Sequence, residues 1–512
     1  MNSKIVFIIT VVVLVGGAFW FASSPRSGPV QQEQETQVIE LKNGGVYNLT
    51  ASYVTKVIAG REQKMLAYNG MIPGPEIHVV QGAEVTINFK NDTDMPALLH
   101  SHGIRMDNAF DGSQLQQKDI PPGGSYSYTL KFQDAGVFWY HPHVNEVYGQ
   151  ALGLFGGFIV TPTDINYYPP VNSEHVLFLS DLPIKNGKIA LTKDSKDQVL
   201  MGHYGSIMLV NGQENYMLAM KTGEVARLDV INAANVRPFR FAITGAKLKL
   251  IGSDNGGYEK ASWQDSVILG PSERAIVDVM FNKAGTYDIQ DKTPEGTTVL
   301  GKIKVGADSI QTSYASEFNI LQENKIVTTS IDPFRQYFNG APDKKLTLSV
   351  DFSGMMAGHM QSMGGMGMHS MSSGVSDDGI EWDDSNQMMQ MMNSMATPDE
   401  TKWKITDAAT GKSNMDIDWV FKKDQPVKIE IYNDPNSMHP MQHPIHFHGQ
   451  RFLILSTNGA KQTDLAWKDT VLVPRGTKVE ILLDPSNPGT WMAHCHISEH
   501  LVAGMMFAFK VQ

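Results

Sequence analysis

Ten of the 16 histidines fall into four clusters, two early in the chain and two late, and a fold for this chain must account for that spacing. The clusters are His100-Ser-His102-Gly, His141-Pro-His143, His443-Pro-Ile-His446-Phe-His448-Gly, and His494-Cys495-His496 followed by His500 and Met505. Residues i and i+2 of a strand share a face, so each His-x-His pair aims two imidazoles at one site. In the last cluster the same alternation puts His494 and His496 on one face and Cys495 on the other, so one strand serves two metal sites.

The surrounding sequence supports strands. From about residue 45 it runs in short alternating stretches punctuated by Gly, Pro and Asn, such as Val85-Thr-Ile-Asn-Phe-Lys, the pattern of β-sandwiches. A weak repeat, turn then strand then Asn, recurs at Gly82 to Asn91, Gly223 to Asn232 and Asp424 to Asn433, and points to three sandwiches. An Asn-Gly stands upstream of the first two copies, at Asn69-Gly70 and Asn211-Gly212; the third has only Asn414. We read a linker over 25–44 and domains over 45–164, 165–310 and 311–512.

Ahead of them, Ile5 to Ala22 is an apolar run after Lys4, the pattern of an export segment over 1–24. The best small-residue cleavage site, Ala22 and Ser24, would leave Pro25 after the cut, so an uncleaved membrane anchor is expected. No twin-arginine pair precedes the run, which implies export unfolded, an extracytoplasmic location (periplasm or cell surface) and metal loading outside the cytoplasm.

One cysteine excludes an intrachain disulfide. The balance of 42 Lys+Arg against 53 Asp+Glu, net charge −11, argues against nucleic acid as a partner. No interface signal stands out, and a monomer is expected. The 28 methionines are unusual, and 12 lie between Met355 and Met395, within an insertion over 353–397 that is rich in Met, Gly and Ser and then acidic. Its Gly-Met-Gly portion reads as mobile and Met388-Met-Gln-Met-Met as a short helix.

A thiolate, two imidazoles and a distant thioether form the ligand set of a type 1 copper, which Cys495, His443, His500 and Met505 supply. The other eight cluster histidines suffice for three more copper ions, a centre suited to binding dioxygen and delivering four electrons. Zinc also takes imidazole and thiolate, but it leaves four clusters and a Cys between two His unexplained.

These four motifs resemble those of the multicopper oxidases, over residues 45 to 512, and in particular the three-domain type that includes laccases and the bacterial and archaeal cuprous oxidases (copper efflux oxidases). The resemblance implies an all-β chain of three cupredoxin-like Greek-key sandwiches, preceded by the hydrophobic export or anchor helix, with the trinuclear centre between the first and third. It implies four copper ions: type 1 as above, type 2 on His100 and His446, and a type 3 pair on His102, His141, His143, His448, His494 and His496. Electrons would enter at the type 1 site and pass through Cys495 to His494 and His496. Asp111 matches an acid that relatives place near the type 2 copper to deliver protons, or it is a turn-forming Asp-Gly. Relatives often carry a second acid where this chain has Leu501, and Glu499 or Glu146 is the candidate substitute. The second domain, without motif histidines, is expected to bridge the other two.

Dioxygen is the oxidant that the resemblance implies; the reductant is Cu(I) or a small organic molecule. The Met-rich insertion favours Cu(I), a soft ion that thioethers bind without deprotonation, and hence a role in copper tolerance. Met441 lies where similar cuprous oxidases use a substrate-copper Met. The acid expected near it is absent, with His439 two residues before Met441 and Asp434 or Asp469 as stand-ins; Met355, Met356 and Met360 are further candidates. The alternatives are a laccase-like oxidase of phenols, aromatic amines or other metal ions, with the insertion as a shielding loop, and a non-enzymatic copper-buffering protein.

Overall fold

A computed structural model describes residues 31–358 and 376–512. The chain is built from β-sheets with a few short helices, and its six large sheets pair into three sandwiches. The first spans residues 31–161, the second 173–309 and the third 344–511. Each encloses its own apolar core. No helix among the described residues is long and apolar enough to cross a membrane, and the apolar run Ile5 to Ala22 lies outside them.

The internal repeat marks equivalent strands. Glu84–Asn91 pairs parallel with Val46–Ile58 and antiparallel with Ser125–Lys131. Val225–Asn232 lies in the same way between Ser173–Leu182 and Arg274–Met280, and Val427–Asn433 between Lys344–Phe352 and Lys478–Asp484. Period-two burial explains the first: Val85, Ile87, Phe89 and Asn91 face the core and their neighbours do not. Each strand ends in a buried Asn whose amide donates to two carbonyls: Asn91 to Met95 and Ile120, Asn232 to Arg237 and Leu269, Asn433 to Met441 and Val473, at 2.7–3.0 Å. The Asn433 clamp holds the segment that leads into His443.

The upstream asparagines are equivalent too. Asn69, Asn211 and Asn414 all have φ near +50°, which Asn tolerates better than most residues. Each side chain pins a neighbouring strand, accepting from Thr50, Phe178 and Ile405 N–H respectively. The third copy therefore keeps the device although Met415 stands where the others have Gly.

Residues 31–41, read above as linker, instead join the first sandwich. Gln31–Gln32 pairs with Val54 and Thr55, and Val38–Leu41 runs parallel to Glu76–Val80, because Ile39 and Leu41 alternate towards its core. The expected short helix is present at Gln387–Met395, capped by Asn386, which accepts from Met388 and Met389 N–H. Met389 and Met392 anchor it in the third core; Met388, Met391 and Met395 face solvent. The Gly-Met-Gly portion and Met360 lie outside the described residues.

Candidate metal centre

Strand pairing assembles the centre. In the first sandwich His100 and His141 are cross-strand partners, and in the third His446 pairs with His494 and Ile445 with Cys495. Where the two sandwiches meet, rings from one stack on rings from the other: His102 on His446 at 3.8 Å and His100 on His448 at 4.1 Å between centroids. His143 stands 5.4 Å from His494, and His141 5.0 Å from His496. All eight are buried.

Outer partners decide which nitrogen of each ring points inward. Nδ1–H of His100 donates to the Asp111 carbonyl (2.7 Å), that of His446 to the Asp469 carbonyl (2.9 Å) and that of His141 to the Pro142 carbonyl (2.9 Å), and in each ring Nε2 has no partner. His102 is reversed: Nε2–H donates to the Asp469 carboxylate (3.0 Å) and Nδ1 is left unpaired. His448 donates from Nδ1 to the Asp111 carboxylate (3.0 Å) and His494 from Nδ1 to the Cys495 carbonyl (2.8 Å), so their Nε2 lone pairs face each other at 3.0 Å. Burial, together with neighbouring imidazoles, pushes His100, His102, His141, His448, His494 and His496 well below the usual imidazole range, so these rings are neutral. Neutral imidazoles with converging lone pairs repel one another unless cations sit among them.

On the other face of the Gly489–Cys495 strand, Cys495 Sγ lies 3.6 Å from both His443 Nδ1 and His500 Nδ1, which are 3.3 Å apart. Such a triangle suits one ion at metal–ligand bonds of about 2.0–2.3 Å. Burial pushes the thiol up and His443 down to about 3, so the apo site is uncharged and the thiolate needs a cation beside it. Met505 is fully buried and tied by its backbone to both ligand segments, accepting from Cys495 N–H (3.0 Å) and donating to the His500 carbonyl (2.9 Å). Soft sulfur with imidazole at one site and imidazoles alone at the other fit copper.

Several partners of these rings were not legible in the sequence. Trp403 stacks on His500 at 4.1 Å and donates from its indole to the Val199 carbonyl, while His500 Nε2–H donates to the Leu200 carbonyl (3.3 Å). The second sandwich therefore does more than bridge: besides Leu200, it contributes Arg274, which holds the carboxylate bonded to His102.

Among the substrate candidates, Asp469 is corrected. It is fully buried between Arg274 and His102, beside the eight-histidine cluster, because Asp-Thr here begins a strand paired to His443–Phe447. Met356 and Met441 are 1% and 0% exposed and pack in the third core, whereas Met355 is 75% exposed. Asp434 is half-buried and caps its own turn, accepting from Asn436 N–H. Asp111 is no surface turn residue, since its carboxylate and carbonyl orient two rings; Gly112 beside it has φ +75°, and a Cβ there would meet the Leu99 carbonyl at 1.8 Å. Glu146 and Glu499 are both buried; Glu146 Oε1 is 3.7 Å from His141 Nδ1, and Glu499 accepts from His203.

The family models for multicopper oxidase match residues 50–164, 174–314 and 383–512. The chain belongs to the multicopper oxidase family: an oxidoreductase that uses copper, with oxygen as acceptor and a separate reductant as substrate. It is 27% identical over 472 residues to multicopper oxidase mco of Staphylococcus aureus (89% of this chain, 86% of that protein). It is 26% identical over 479 residues to multicopper oxidase MmcO of Mycobacterium tuberculosis (86% and 82%). The solved multicopper oxidase from Campylobacter jejuni, described as a metallo-oxidase, shares the fold with a TM-score of 0.70 at 24% identity (95% and 96%).

Proposed function

We propose that this oxidase couples the oxidation of Cu(I) outside the cytoplasm to the reduction of dioxygen to water, and so serves copper tolerance. Four copper ions are its cofactors: one on Cys495, His443, His500 and Met505, and three on the eight histidines. When bound, they take single electrons from the substrate and deliver four to dioxygen. Cys495 is covalently joined to His494 and His496, which gives the electron a short through-bond path, and Asp111 and Asp469 hold the cluster rings in their tautomers.

The observation that carries the cuprous reading is the helix Gln387–Met395. It presents Met388, Met391 and Met395 to solvent at i, i+3 and i+7, and docks Met389 and Met392 in the same core as Cys495 and Met505. Its Asn393 accepts from Met201 N–H (2.8 Å) and donates to the Gly202 carbonyl (2.9 Å), next to Leu200, whose carbonyl binds His500. A second feature supplies an acid near His439, where the resemblance leads one to expect an acid and this chain's local sequence lacks it. Glu381, from the insertion, lies 3.7 Å from His439; Glu381 Oε2 and His439 Nε2 have no hydrogen-bond partner. Burial pushes Glu381 up to about 8 and His439 down to about 4, so both are neutral near pH 6 and free to receive a soft cation.

The test is dioxygen uptake by copper-loaded protein with Cu(I) or a simple phenol as sole reductant. Replacing Met355, Met388, Met391 and Met395 together by Leu lowers kcat/KM for Cu(I) about tenfold or more and leaves phenol oxidation unchanged. Equal rates with both reductants, unaffected by the substitutions, would make this a laccase-like oxidase.

A further inference from the structure

A cavity of about 520 Å³ opens where the three sandwiches meet. His143 and Glu146 of the first domain line it, as do Met415, Met492 and Met506 of the third. None of these methionines belongs to the insertion, and none is in the ligand set above.

Strand geometry explains the grouping. Met492 precedes His494 by two residues and shares its face, and Met506 is the cross-strand partner of His494. Met415 sits on the 3-10 turn Asn414–Asp416, packed against the strand Met506–Val511. Exposure rises outward: Met492 is buried, Met506 half-buried and Met415 49% exposed. Inside, His143 is buried with Nε2 unpartnered, and Glu146 Oε1 is also unpartnered. At the rim the charge of Lys193 is matched by Asp94, and Lys196 is exposed to solvent.

We propose that this cavity is the port through which Cu(I) is loaded into the histidine cluster, with Met415, Met506 and Met492 as successive thioether contacts and His143 and His494 as the receiving imidazoles. Thioethers hold Cu(I) without losing a proton, and neutral imidazole takes it over by ligand exchange, so transfer moves neither electron nor proton. The cluster is buried between two domains, so metal that reaches it after folding needs such a port. The proposal rests on the eight histidines holding copper.

The experiment follows metal uptake by the copper-free full chain under argon, with Cu(I) supplied as its acetonitrile complex. After admission of air, the visible thiolate-to-copper band reports the Cys495 site, and the EPR signal with total copper reports the cluster. In the triple variant Met415→Leu, Met492→Leu, Met506→Leu the Cys495 site fills at the wild-type rate and the cluster about tenfold more slowly. The single variant Met415→Leu, at an exposed position, shows the same selectivity more weakly and guards against misfolding of the triple. Crystals soaked in Ag(I), a redox-inert soft ion, show anomalous density between these sulfurs in wild type and none in the variant. Equal filling of both sites in both variants overturns the proposal, as does a raised KM for dioxygen with loading intact, which would make the cavity the oxidant's route. Wild-type chain that takes up copper at Cys495 alone would overturn the cluster assignment itself.

Discussion

The guanidinium of Arg274, in the second sandwich, forms a fully buried two-point ion pair with the carboxylate of Asp469, in the third, at 2.7 and 2.5 Å. The same carboxylate accepts from His102 Nε2–H and so leaves Nδ1 as that ring's available donor atom. Burial alone would raise the Asp469 carboxyl, but Arg274 and His102 hold it well below the usual carboxylate range. Asp254 adds a second acid beside Arg274, 3.7 Å away. A domain without a motif histidine thus sets the tautomer of one that lies in the first.

Asp469→Asn removes the nearer of the two acids that neutralise the buried Arg274 guanidinium and costs about 3 kcal/mol of stability. Copper analysis of the purified variant shows a deficit at the cluster with the visible thiolate band retained. Full copper content with wild-type thermal stability would show that the pair has no positioning role.

Cys495→Ser removes the thiolate while keeping the side chain small. The blue colour and dioxygen uptake are lost together, and EPR still detects copper on the eight histidines. A blue or fully active variant would contradict the ligand assignment.

Glu381→Gln keeps the shape of the buried, neutral acid beside His439 and removes its ability to ionise when a cation binds. Cu(I) oxidation falls severalfold through KM, on the order of 1 kcal/mol in kcat/KM, and phenol oxidation is unchanged. Equal loss with both reductants would assign Glu381 a structural role.

Asp229 provides a pH test remote from the metal. Burial pushes its carboxyl up to about 8, against the pull of Arg227, and Oδ1 has no partner. A folded-state value above the unfolded one means that folding holds a proton, so stability falls as pH rises from about 4 to about 8 and is level above that. Asp229→Asn removes this slope: melting scans show it more stable than wild type by about 2–4 kcal/mol at pH 8 and equal to it at pH 4. A constant difference across that range would rule out the buried proton.

Asn433→Ala leaves the Met441 and Val473 carbonyls unpaired in the core and costs about 2–3 kcal/mol. Denaturant titration of the third domain's tryptophans measures it, and Asn91→Ala and Asn232→Ala give similar losses in their own sandwiches. A cost at one site only would break the equivalence of the three clamps.

The sequence by itself determined the ligand chemistry and the fold class. Strand alternation is local, so His494-Cys495-His496 could be divided between two sites without knowing what lay opposite, and the repeat ending at Asn91, Asn232 and Asn433 counted the sandwiches because each copy is one turn and one strand. Only the tertiary structure decided what surrounds those ligands. Arg274 and Asp469, Trp403 and His500, and Glu381 and His439 meet across domains, sheets or long loops, and no local periodicity encodes such contacts. Asp469 shows the limit most directly: its sequence neighbourhood suited an acid near the substrate, and domain packing buried it beside His102 instead. Where a site lies within one strand its residue spacing reveals it; where it lies between domains, shape and burial decide which polar atoms are left to be satisfied.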